Sequence, residues 1–128
     1  DFSCMISTEM FEDIFVPALE KQMSFLDYGI YHVDGVDAFR HVPTICEIPG
    51  LHALQILPGA GKPSPLHYMD VLREVQGRGK SLHIAIPPNQ VETALSDLSA
   101  RGLNILTRCK SEEEARWLVK NVAKWTKE

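Results

Sequence analysis

The chain has 128 residues, 45% of them hydrophobic, which is enough apolar surface for one domain with a true core. A formal net charge of −4 without any run of basic residues lacks the electrostatic footprint of a nucleic-acid-binding protein, and no apolar stretch reaches the ~20 residues of a membrane-spanning helix. Three widely spaced cysteines, Cys4, Cys46 and Cys109, form no disulfide framework and fit a reducing, cytoplasmic setting, and no signal-peptide pattern opens the chain.

Taken in chain order, FSCMIS (2–7) reads as a short strand, with Ser7 or Thr8 placed to cap a following helix over about 9–27. Met10, Ile14, Ala18, Met23 and Leu26 give that helix its apolar pattern, and Pro17 is positioned to kink it. GIYHV (29–33) is the next strand, followed by a helix over about 36–46. LHALQIL (51–57) is a third strand, ended by PGAGKPSP, and a helix over 65–77 carries Leu66, Met69, Leu72 and Val75 on one side. SLHIAI (81–86) is a fourth strand, stopped by Pro87 and Pro88. Asn89 is placed to cap a helix with Val91, Ala94, Leu95 and Leu98, which Gly102 closes. LNILT (103–107) is a fifth strand, and SEEEARWLVKNVAKW (111–125) is a helix whose Ser111 and Glu114 fit a capping box.

Five successive βα units predict an α/β fold with a parallel sheet, in a single domain over 1–128. Two architectures fit: a doubly wound open sheet, and a run of units from a (β/α)8 barrel. Alternation places Ser3, Met5, His32, Asp34, Gln55, Leu57, His83, Ala85, Thr107 and Cys109 on one face of the strands. Cys4, Tyr31, Val33, Leu54, Ile56, Leu82, Ile84 and Leu106 fall among those on the other. One apolar and one partly polar face per strand favours the barrel, whose inward residues line a lumen with its chemistry at the C-terminal rim.

The stretches YGIYHVDG…HV, IPGLHALQILPGAG, LHIAIPP and LTRCKSEEEA resemble the C-terminal half of the uroporphyrinogen decarboxylase superfamily, which includes zinc- and corrinoid-linked methyltransferases. The resemblance covers nearly the whole chain. It implies that these are strands four to eight of a TIM barrel, with three βα units, ~90 residues, lying outside the chain, so that the chain is a C-terminal fragment. In the methyltransferase branch a zinc-binding His-x-Cys ends the fifth strand and a further cysteine ends the eighth. His32 matches that histidine and Cys109 the distal cysteine, whereas Asp34 stands at the middle position where the family has cysteine. A carboxylate can also ligate zinc, so the resemblance implies a Zn2+ site of His32, Asp34 and Cys109 with an open fourth position. The Asp-x-His-x-x-Gly signature of a corrinoid-binding domain is absent from the sequence, so a corrinoid would arrive on a partner protein.

Each candidate also has a plainer explanation. His32 and Asp34, the catalytic candidates, can be a hydrogen-bonded structural pair, and Cys109 can be a small buried hydrophobe. Gln55 and His83 share the inward face and Arg108 stands at the rim, so these three are the expected substrate-binding residues. Cys4 and Cys46 belong with the core, and His41, His52 and His67 are expected at the surface or in loops. Arg40 is expected in a surface ion pair. PGAGKP (58–63) lacks the spacing of a phosphate loop and suits a flexible barrel-mouth loop. Three functions follow as expectations: a zinc-dependent methyltransferase acting with a corrinoid protein, a cofactor-free decarboxylase of uroporphyrinogen type in tetrapyrrole (porphyrin) synthesis, or a non-catalytic half-barrel that assembles with itself or with its missing N-terminal half. The fragment alone is expected to be inactive on a small-molecule substrate.

Overall fold

The computed structural model describes residues 2–126. The first predicted strand is not one: Phe2–Met5 forms a 3-10 turn. Its carbonyls find side chains rather than a strand partner. The buried His41 donates from Nε2 to Ser3 O at 2.8 Å, and Arg40 donates from Nη2 to Cys4 O at 3.2 Å. His41, expected at the surface, is fully buried and stacks on Phe11 with ring centres 4.4 Å apart. Arg40 makes carbonyl bonds, including one to Asp37 O, and is in no ion pair among the described residues.

The first helix, α1 (residues 8–23), is capped by Ser7, whose Oγ accepts the Met10 N–H. It runs as Thr8–Met10, a π-helical turn over Phe11–Phe15, and Val16–Met23. Pro17 explains the middle piece: it cannot donate to the helix, and its ring crowds the preceding turn, which widens until Val16 N–H reaches back to Phe11 O. The expected kink is thus a π-bulge, and the helix stops short of Leu26.

Strands β1 (Gly29–Asp34), β2 (Leu51–Leu57), β3 (Ser81–Ala85) and β4 (Leu103–Leu106) form an all-parallel sheet in the order β1-β2-β3-β4. Helices α2 (Val42–Cys46), α3 (Met69–Gly77) and α4 (Val91–Asp97) lie in the crossovers, each entered through a 3-10 turn, and α5 (Glu112–Trp125) follows β4. Asn89 sits within one of those turns and caps nothing; Gly102, at φ +71°, turns the chain into β4 beyond the end of α4. The strand order never reverses, unlike that of a doubly wound sheet.

The core lies between one sheet face and the helices. Val33, Leu54, Ile56, Leu82 and Ile84 are buried there with Val42, Ile45, Leu72, Val75 and Ala94. The register settles the facing of β4. Leu103 pairs with Leu82 and Ile105 with Ile84, so these two turn to the core, while Asn104 and Leu106 share the open face with His83 and Ala85. Leu106 therefore faces opposite to the sequence expectation, and it is 59% exposed.

Candidate functional site

The open face carries a polar row. His32 is in register with Gln55, Gln55 with His83, and His83 with Asn104, so one such residue comes from each strand. Parallel pairing puts partners on the same face, and the next row towards the C-terminal ends holds Asp34, Leu57, Ala85 and Leu106, apolar apart from the Asp34 carboxylate. Gly35 ends β1 at φ +103°, a conformation open to glycine, and its N–H bonds Leu57 O at 2.8 Å. That closes the strand just past Asp34 and holds the His32–Asp34 end of it against β2.

Gln55 orients His32. The imidazole Nδ1 lies 2.6 Å from Gln55 Oε1. A carbonyl oxygen only accepts, so Nδ1 carries the proton and the Nε2 lone pair is left free in the neutral ring. Nε2 stands 3.8 Å from Asp34 Oδ2, and the two side chains are 52% and 42% exposed. Two lone-pair donors therefore converge on one solvent-accessible point. Such a point suits a proton, a cation or a hydrogen-bond donor on a substrate.

A catalytic zinc takes three protein donors and leaves one position open. His32 and Asp34 fit two of those places. The third expected donor stands elsewhere: Cys109 follows the last strand, half-buried, and packs against the core. It follows β4, the edge strand opposite β1, and those two strands are three strand spacings apart, or roughly 14 Å across the sheet. Among the described residues, no three histidine, cysteine or acidic side chains are grouped to hold a metal ion. The structure thus brings together His32, Asp34 and Gln55, aligns His83 in the same row, and leaves Arg108 exposed past β4.

Asn104 completes the row and was not singled out from sequence. The signal was the alternation of LNIL, read in the wrong phase. Cys46 is core as expected, and Cys4 is partly buried, its Sγ 3.4 Å from Asp34 O, so it braces the end of β1. His52 sits at a register shift between β1 and β2, where its Nδ1 accepts the Gly29 N–H at 3.2 Å.

Compared with known proteins, the chain matches no family model, no curated protein and no solved structure.

Proposed function

We propose that this chain is one half of a uroporphyrinogen decarboxylase-type (β/α)8 barrel whose activity is methyl transfer on a small molecule, with a corrinoid protein as the methyl-carrying partner. The observation that carries this reading is the imidazole of His32, held by Gln55 so that its free Nε2 faces Asp34. Metal-bound histidines are held in this way, with the second ring nitrogen donating to a fixed acceptor. The sequential parallel order, with a polar row on the uncovered face, is what a barrel segment requires of its lumen side.

In this reading His32 and Asp34 would hold two positions of a Zn2+ site, and Cys109, which follows the far edge strand here, would supply the third at the shared rim of a closed barrel. Zinc there would supply Lewis acidity, lowering the pKa of a bound thiol. Gln55 keeps the ring in one tautomer, and His83 and Arg108 meet the substrate. A second reading, a cofactor-free decarboxylase, is favoured by the same hydrogen bond, because Gln55, His32 and Asp34 form a connected polar set without a metal. A thermal melt with and without Zn2+ separates the two. A folded-state ligand at a hundredfold excess over its Kd stabilises by about 2.7 kcal/mol. The expected result is a rise in Tm that disappears in His32→Ala and in Cys109→Ser; a melt indifferent to Zn2+ would favour the decarboxylase.

A further inference from the structure

Beyond the polar row, a cleft of about 560 Å³ opens at the C-terminal ends of β3 and β4, with Ile86, Pro88, Leu106, Thr107, Arg108 and Lys110 in its lining. That volume lies within the range of small-molecule sites. Its walls are apolar and its polar groups are of one kind. Among the described residues, neither the Arg108 guanidinium nor the Lys110 ammonium makes a hydrogen bond or ion pair, although the chain as a whole is acidic. No carboxylate of the acidic first turn of α5 forms an ion pair with either cation among the described residues. Glu112 is paired with Arg116, and Glu114 turns back so that its Oε2 accepts the Lys110 backbone N–H at 2.5 Å. Thr107 lines the same cleft, and its Oγ1 is buried with no hydrogen bond to the described residues. A buried hydroxyl without a partner is costly, and a bound acceptor removes that cost.

We propose that this cleft is an oxyanion site, in which Arg108, Lys110 and the Thr107 hydroxyl take the phosphoryl or carboxylate group of a small-molecule ligand. The guanidinium offers a planar fork for two oxygens, the ammonium a point charge, and the hydroxyl a third donor. All three are donors to oxygen, which both ligand groups present. The site needs neither zinc nor the other half of a barrel; it shares Arg108 with the methyltransferase reading, and its failure would remove that residue's role while leaving the His32–Asp34 centre to the zinc melt.

The test is a titration of the 128-residue chain with inorganic phosphate at constant pH and ionic strength, followed by backbone amide NMR shifts. Saturable shifts confined to Ile86, Asn89, Gln90 and residues 107–111 are expected. Binding should weaken about tenfold in Arg108→Ala, the scale of one charge-assisted contact, and clearly in Lys110→Ala. Arg101→Ala, a cation away from the cleft, should bind as the parent does. All three side chains are exposed, so each variant should keep the parent's amide spectrum elsewhere. Parallel titrations with acetate identify the source: saturation by phosphate alone assigns a phosphoryl group, and saturation by acetate as well assigns a carboxylate. Shifts that stay linear with both anions, or affinity unchanged in Arg108→Ala, would overturn the site.

Discussion

Burial pushes the Cys46 thiol above its ordinary value of 9.0 and the Tyr31 phenol above 10.0, and for Cys46 the pull of nearby Arg78 and Lys80 is the smaller effect. Both groups are neutral when protonated, so the unfolded chain ionises first as pH rises. The stability they contribute is complete below those unfolded values and drains away as pH climbs through 9 and 10 towards the folded ones. Urea melts across that range should show falling stability, and Cys46→Ala should move the onset towards the phenol's range. If the onset stays in place, the thiol is not its source. Residues such as these were legible because an apolar neighbourhood in sequence became one in space. His41, expected at the surface, obeys the same rule. It stands with Ala38, Val42 and Ile45 at helical spacing, so the stripe that buries them buries it too. The His32–Asp34 pairing followed from two-residue periodicity. Its orientation by Gln55 did not, because that depends on the register between β1 and β2.

At the scale of elements, three strands announced themselves by alternation between turn residues, and two segments misled. FSCMIS has the composition of a strand, but its carbonyls are taken by His41 and Arg40, residues too distant in sequence for any local pattern to register. LNIL is apolar at three of its four positions, so its own sequence leaves its facing open and pairing with β3 decides it. Helix α5 was the clearest element. Ser111 Oγ accepts the Glu114 N–H at 3.1 Å, while Glu114 reaches Lys110 N–H rather than that of Ser111, so the expected capping box is displaced by one residue. Replacing Ser111 with alanine should cost about 1 kcal/mol in a urea melt, and Ser111→Asp should recover most of it. A cost near zero would mean that Glu114 alone holds the end of the helix.

The whole molecule exposes 7967 Å², where a compact monomer of 14.4 kDa exposes roughly 6,800 Å². The excess of about 1,100 Å² exceeds the ~800 Å² that each partner buries in a standard interface. Its sources include the open sheet face and the two edge strands, where Ile30 and Leu106 are more than half exposed. Parallel sheets ordinarily have both faces covered. We therefore expect the isolated chain to self-associate, with a sedimentation mass that rises with concentration and that Leu106→Lys holds near that of a monomer. A mass of one chain throughout the micromolar range would contradict this. The same strand order bears on how the chain is made. Each strand's sheet partner on the N-terminal side is the strand synthesised just before it. A ribosome delivering the chain from its N-terminus would never present β2, β3 or β4 before the edge that receives it. The sheet can grow one unit at a time during translation, each new strand closing the edge left by the one before, so that the outer edges of β1 and β4 are the ones left to seek a partner.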